Sequence, residues 1–262
     1  MNITQKIVRL NLLPLWKRRI RVWNFDFIAP SLDRLTALYL HRARLMGEEE
    51  KLFFESRLRP GMTVVDIGAN QGLYTLLFSR LVGTGGRVIS FEPEADMYRA
   101  LIENARHNGV TNVECHKIAL GSKSGTATLS RSLIHGGDNR MASGHGESTS
   151  RKESVPVSTL DEIAGSRLIN LIKMDVQGWE GEVFQGMKGV LERNRDILIY
   201  FEFWPRGLRM AGCDPEGLLQ SFSRFGFQLF EQVKGAQHRV DDFPELIERL
   251  SGNRFTDLLA KR

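Results

Sequence analysis

Three carboxylates in this 262-residue chain stand where an acid can do ligand chemistry. Asp66 closes the run Val64-Val65-Asp66-Ile67 and is followed at once by Gly68-Ala69-Asn70-Gln71-Gly72. Glycines in such a turn let the backbone approach a ligand closely, and the N-terminus of the helix behind it favours anionic groups. The dinucleotide fingerprint G-x-G-x-x-G is absent; the spacing is D-x-G-x-x-x-G, with the acid ahead of the turn. That placement suits a ligand carrying an amine and a sulfonium better than a pyrophosphate. Glu92 lies 24 positions beyond Gly68, at the end of the next β-branched run. There a carboxylate can accept both hydroxyl hydrogens of a ribose. A strand, turn and helix that bind nothing would explain the first motif alone, but they explain the pair poorly. Asp175, in Lys173-Met174-Asp175, ends a further run. An aliphatic hydroxyl is a poor nucleophile until its proton leaves, so an acid here serves as a base or orients an acceptor. The plainer alternative for Asp175 is a hydrogen bond to the bound ligand or to strand-end backbone.

These acids need elements to hold them, and the chain from Gly61 onward supplies a regular alternation. Short apolar runs at Met62–Ile67, Arg87–Phe91, Asn112–Ile118, Leu168–Met174, Ile197–Phe203 and Phe227–Val233 predict strands. Helical periodicity falls at Gly72–Val82, Ala95–His107, Glu180–Arg193 and Pro215–Phe225, and Phe255–Leu259 suits a closing strand. Strands separated by helices of this length imply βαβ units, a parallel sheet and right-handed crossovers. In an open sheet of that kind, ligands bind beyond the carboxyl ends of the strands. Asp66, Glu92 and Asp175 should therefore share one rim, with Glu202 in Tyr200-Phe201-Glu202-Phe203 as an acceptor-binding candidate on the same edge. Glu180 and Glu182 open a helix and read as partners of its dipole.

Two regions break the alternation. Gly121–Val157 is rich in Gly, Ser, Thr and charge, with strand-like pieces only at Thr126–Ser130 and Ser154–Val157. A long patternless insertion is a functional lid or disorder. Within it His135-Gly136-Gly137-Asp138 suits a mobile lid that delivers a base, with solvated loop residues as the alternative. The other region is residues 1–60, which read as helical in pieces, with a helix from about Leu32 to Leu58. They hold 12 Lys/Arg against 6 Asp/Glu, while the rest of the chain holds 24 against 25. All of the basic excess thus lies in the head, around Lys17, Arg18, Arg19 and Arg21, interleaved with Trp16 and Trp23. Such a head can meet phosphates, acidic headgroups or an acidic partner, and is equally a solvated extension.

Composition narrows the classes further. With 42% hydrophobic and 26% charged residues, the chain resembles an ordinary globular protein. No apolar run reaches the roughly 20 residues that span a bilayer, and no signal peptide is evident, so a cytoplasmic protein is expected. Cys115 and Cys213 are far apart and outside any C-x-x-C spacing, so neither a zinc site nor a disulfide is expected.

The motifs also carry a resemblance. Asp66-Ile67-Gly68-Ala69-Asn70-Gln71-Gly72, Ser90-Phe91-Glu92-Pro93, and Asn104 in Leu101-Ile102-Glu103-Asn104 come in the order found in FkbM methyltransferases. Ile118-Ala119-Leu120-Gly121 with Gly125, Ser158-Thr159-Leu160-Asp161, and Ile172-Lys173-Met174-Asp175-Val176-Gln177-Gly178-Trp179-Glu180 followed by Val183 and Gly186 continue it. The chain resembles that family from about Gly47 to Val233. The resemblance implies S-adenosylmethionine as methyl donor, S-adenosylhomocysteine as product, and a hydroxyl of a sugar, glycolipid or secondary metabolite as acceptor. It implies an α/β, Rossmann-like class I methyltransferase fold, with a mostly parallel seven-stranded sheet and helices on both faces, plus a helical N-terminal extension. Residues 1–46 would form that extension and 47–262 the domain, with a loop insertion near 131–153. Carried onto matching positions, the donor site comprises Asp66, Gly68, Asn70, Gly72, Glu92, Pro93, Ala119 and Asp175. Catalytic candidates are Asp175, Asp138 and His135. No metal and no nucleic-acid partner are expected; peripheral membrane contact through the head and a homo-oligomer are compatible. The alternatives are an RNA or protein methyltransferase that uses the basic head, and a non-catalytic donor-binding protein.

Overall fold

The computed structural model describes residues 18–29, 47–131, 140–142 and 151–262. Its frame is an eight-stranded sheet of order β13-β12-β14-β11-β10-β3-β4-β5. The strands are β3 (Thr63–Ile67), β4 (Arg87–Phe91), β5 (Val113–His116), β10 (Leu171–Met174), β11 (Leu198–Phe203), β12 (Gln228–Val233), β13 (Ala236–Arg239) and β14 (Thr256–Lys261). Five of them, from β11 to β5, are mutually parallel. The last strand, β14, inserts antiparallel between β11 and β12, and β13 adds a hairpin at the edge. The sheet is therefore mixed and one strand wider than the expected seven. Ala236–Arg239 is a polar run whose only strand signal is its partner across the Lys234-Gly235 turn, both residues at positive φ.

Register assigns each side chain to a face. Val64 and Asp66 align with Leu171 and Lys173, and these with Leu198 and Tyr200, so all six point to one face. That face is covered by α1 (Glu48–Arg57) and α2 (Leu73–Val82). Phe54 is fully buried there, edge-on to Phe78, Tyr74 and Tyr200; burial of one such ring contributes about 1.5–3 kcal/mol. On the opposite face Val65, Ile67, Ile172 and Met174 join Phe184, Leu191, Leu208, Leu219 and Phe222 in the larger core. Those partners come from α5 (Glu180–Gln185), α6 (Lys188–Arg193), α7 (Pro205–Met210) and α8 (Pro215–Arg224), with Leu160 of the short α4 (Leu160–Ala164) in the same core. The single helix expected over Glu180–Arg193 is thus two. They part at Gly186, where a Cβ would lie 1.9 Å from the carbonyl oxygen of Gly121.

Beyond β5 a second, four-stranded sheet has the order β6-β9-β7-β8, from β6 (Ala119–Leu120), β7 (Gly125–Arg131), β8 (Arg140–Ala142) and β9 (Arg151–Ser158). A short strand, β8, thus falls inside the stretch that carried no pattern. His135 and Asp138 lie outside the described residues.

The head departs most from expectation. Arg18–Val22 and Phe25–Ala29 are not helical: they pair antiparallel as β1 and β2. The turn between them, Trp23-Asn24, has φ values of 48 and 68°, the primed type that suits a two-residue hairpin. Val22, Phe25 and Phe27 are buried against the α1–α2 face, and Arg80 lies 4.5 Å over the Phe25 ring. The aromatic-basic alternation that suggests an amphipathic helix is a period-two strand pattern instead. The hairpin also docks on α3 (Ala95–His107). Buried Asn104 accepts from Ile28 N at 2.7 Å and donates to Ile28 O at 3.1 Å, while Asn108 does the same for Asp26. Of the helix expected over Leu32–Leu58, the described part is α1, and the residues before 47 lie outside those described. Among the described residues no helix is long and apolar enough to cross a membrane.

Candidate active site

Strand order reverses between β3 and β10: β4 and β5 follow on one side, β11 on the other. A crevice opens at the carboxyl ends of strands at such a switch point. Asp66, Glu92 and Asp175 all lie at that end of the sheet. Their surroundings differ.

Asp66 belongs beneath the crevice. It is fully buried, and its Oδ2 accepts from Thr75 Oγ, in α2, at 2.6 Å; the same hydroxyl lies 3.0 Å from Ser90 Oγ. Burial pushes the Asp66 carboxyl above its usual range, against the pull of Lys173 and the Thr75 hydrogen bond. Its other oxygen, Oδ1, has no hydrogen-bond partner among the described residues. The turn that follows is fixed by backbone. Gly68 N and Ala69 N both donate to Phe91 O, at 3.0 and 2.9 Å. Gly68 has φ +79°, and a Cβ there would lie 1.9 Å from the carbonyl oxygen of Asp175, so no other residue fits. Gly72, at φ +89°, is restricted by its left-handed backbone, with only the end of the Leu101 side chain close by. Asn70 is left-handed as well, at φ 51°, which aims its N–H at Glu92 Oε2, 2.9 Å away.

Glu92, just past β4, is thereby held from both sides, because its Oε1 accepts from Glu94 N at 2.9 Å. Burial raises its carboxyl to about 7. Each carboxylate oxygen keeps a second lone pair for a further donor. Pro93 follows it, half-buried, and Glu94 caps α3 by accepting from Asp96 N and Met97 N. Ala119, in β6, is buried three residues after His116, whose carbonyl accepts from Glu92 N at 3.1 Å.

Across the crevice, Asp175 N donates to Ile67 O at 3.0 Å, which brings the Asp175 side chain onto the face shared by Lys173 and Glu202. Gln177 Nε2 donates to Asp175 Oδ1 at 2.8 Å and to Glu202 Oε2 at 3.0 Å. The other oxygen of Asp175 lies 3.5 Å from the ammonium of Lys173. Burial disfavours the Lys173 charge, yet Asp175, Asp66 and Asp257 hold it above the usual lysine range. Its Nζ also sits 4.9 Å over the Tyr74 ring. Glu202 is pushed up to about 9, first by burial and then by Asp175, Glu180 and Asp257. Its antiparallel neighbour Asp257, on β14, rises to about 7 from burial and the charges of Glu50 and Asp175, although a hydrogen bond from Tyr200 pulls it down.

Glu180 stands in the first turn of α5, as expected. It is buried, and its Oε1 accepts from Val176 N at 3.2 Å and Gly178 N at 3.3 Å, so it braces the turn after Asp175. Burial raises it to about 7. Sequence reasoning did not single out Gln177, Tyr200 or Asp257 as site residues. An acid opening the apolar run Leu258-Leu259-Ala260 is the one local hint of Asp257. Among the described residues no group of three His, Cys, Asp or Glu side chains is placed to hold a metal ion.

The sheet order, the glycine turn over the switch point and the acids around it define a Rossmann-like methyltransferase fold. A model of the FkbM methyltransferase domain matches residues 66–250, and the chain belongs to that family. The hexuronic acid methyltransferase AglP of Haloferax volcanii is 28% identical over 162 residues, 60% of this chain and 60% of that protein. Methyltransferase 1 of Beauveria bassiana is 26% identical over 184 residues, 63% of this chain and 72% of the relative. The chain thus spans less than two thirds of the length of the first of these relatives. Among solved structures, a SAM-dependent methyltransferase from Aquifex aeolicus aligns at 18% identity and a TM-score of 0.43, over 81% of this chain and 88% of that one. The matched domain is an S-adenosylmethionine-dependent methyltransferase domain.

Proposed function

We propose that this protein methylates a hydroxyl oxygen of a small-molecule or sugar acceptor, with Asp175 as the group that receives the acceptor's proton. The observation that carries this reading is the position of Asp175. It is at the switch point, one carbonyl away from Gly68 of the donor turn, and hydrogen-bonded on its far side to the Gln177–Glu202 group. The sugar class is supported by the relative named as a hexuronic acid methyltransferase.

The residues present fit the donor. Glu92 is fixed by two backbone amides with lone pairs to spare, in the place a ribose diol needs. The partly exposed Asp175 gives the rim the negative character that a sulfonium and an ammonium require, and the orphaned Oδ1 of Asp66 lies buried beneath it as a further acceptor. When bound, S-adenosylmethionine supplies a methyl group already activated by a positive sulfur. The protein's task is then to align the acceptor oxygen and take its proton. Lys173, buried with its ammonium over the Tyr74 ring, keeps Asp175 oriented from below.

The test is calorimetry with S-adenosylhomocysteine, followed by transfer of a labelled methyl group to a panel of hydroxyl-bearing sugars and alcohols. Donor-product binding with label in an ether product is expected. Binding with no transfer to any hydroxyl, or transfer only to carboxyl, nitrogen or RNA acceptors, would overturn the reading.

A further inference from the structure

Gln177 has no role in the fold that its type explains. It lies in a turn, its backbone is left-handed at φ 55°, and Gly178 follows at φ +102°, packed so tightly that a Cβ would lie 2.5 Å from Gly207. A non-glycine residue held left-handed is a site where surrounding structure dictates geometry. Here the turn folds the Gln177 side chain back over Asp175, two residues earlier, and towards β11. Its amide nitrogen then stands between two carboxyl groups from different strands, 2.8 Å from one and 3.0 Å from the other. The opposite amide orientation would set the Gln177 oxygen against Asp175 Oδ1, so the nitrogen is assigned to face the pair.

We propose that Gln177 is a positioning residue, whose side-chain amide holds Asp175 and Glu202 side by side as the pair that meets the acceptor hydroxyl. This rests on the hydroxyl-methylation reading above. Two carboxyl groups this close repel when both are ionised. The groups facing Glu202 make that worse: Glu180 from α5, Asp257 from β14 and Asp175 from beyond β10, with Lys173 from β10 the opposing charge. A neutral side chain with two N–H bonds on one atom satisfies both acids without adding charge. The pair can therefore divide the work. Lys173 sets its ammonium 3.5 Å from Asp175 Oδ2, on the side away from Gln177, which leaves Asp175 to accept the hydroxyl proton. Glu202, deeper among acids, retains its proton and presents a donor to an acceptor oxygen. A lone acid could accept the hydroxyl proton but could not also donate.

Three variants test the clamp. Gln177→Leu removes both donors at similar volume, Gln177→Glu keeps the shape but needs a proton to bridge, and Gln177→Asn withdraws the amide by one methylene. In ligand-free protein, carboxyl carbon NMR should follow Glu202, assigned by its loss in Glu202→Gln. In Gln177→Leu its titration midpoint should move upward by at least half a pH unit; an unmoved midpoint overturns the proposal. In turnover, the ratio of Gln177→Glu to wild type should fall at least tenfold between pH 6.5 and 9, and Gln177→Asn should lower kcat more than it raises KM. A flat ratio across that range overturns the clamp. S-adenosylhomocysteine affinity within twofold of wild type shows which variants keep the fold; if Gln177→Leu loses it, Gln177→Glu carries both arms. Should wild type transfer methyl to no hydroxyl, the hydroxyl reading fails while the NMR arm still decides the clamp.

Discussion

The two halves of the rim hold their acids by different means. On the donor side Glu92 is gripped by the backbone amides of Asn70 and Glu94, and the turn itself hangs from Phe91 O. On the side proposed to meet the acceptor, Asp175, Glu202, Lys173, Gln177, Tyr200 and Asp257 are held mainly by one another. Backbone amides cannot be mutated away and do not titrate, so the donor half is rigid and tolerant of its neighbours. Side-chain networks can be retuned one residue at a time.

The largest effect that can break this contrast is expected from Asp175→Asn. It keeps the shape and the acceptor oxygen for Gln177 but cannot take a proton. Turnover should fall by about 10²–10⁴, while S-adenosylhomocysteine affinity measured by calorimetry changes far less; matched losses would return Asp175 to the donor side. Next is Gly68→Ala, which strikes the seam between the halves. The strained φ and the clash with Asp175 O should together cost roughly 2–5 kcal/mol in urea denaturation, with donor binding and turnover lost in parallel. Glu92→Ala removes charge-assisted contacts worth roughly 1.5–3 kcal/mol. It should weaken donor-product binding by that amount and leave the pH profile of kcat at saturating donor intact.

The smallest expected effect is a pH dependence confined to the donor half. With the Glu92 carboxyl at about 7 in the free protein, protonation competes with the ribose hydroxyls for its lone pairs. Affinity for S-adenosylhomocysteine should therefore be full above pH 7 and fall as pH drops through it, approaching tenfold per unit. Glu92→Gln should flatten that slope; an unchanged slope would assign it to another acid.

The same contrast explains what the sequence revealed. Donor-side features are local: an acid, two glycines and a second acid at strand ends, each within a few residues of the element that fixes it. They could be read from Asp66, Gly68, Gly72 and Glu92 directly. Asp257 reaches the rim only because β14 returns antiparallel beside β11, a pairing nearly 60 residues away from Tyr200 in sequence. Nothing local marks Gln177 as left-handed, or Glu180 as buried rather than solvated. In the head, alternating apolar and basic residues fit either period over so short a stretch, and the docking of Val22, Phe25 and Phe27 decided for strand.

Asn104 gives the head an unforeseen place in the molecule. While its carboxamide pairs with Ile28, its Nδ2 also donates to Gln71 O, inside the donor turn, at 2.9 Å. One buried side chain therefore ties the hairpin to the glycine turn proposed to receive the donor. A fragment trimmed to begin at residue 47 would strip this amide of its strand partner and leave the glycine turn braced from one side fewer.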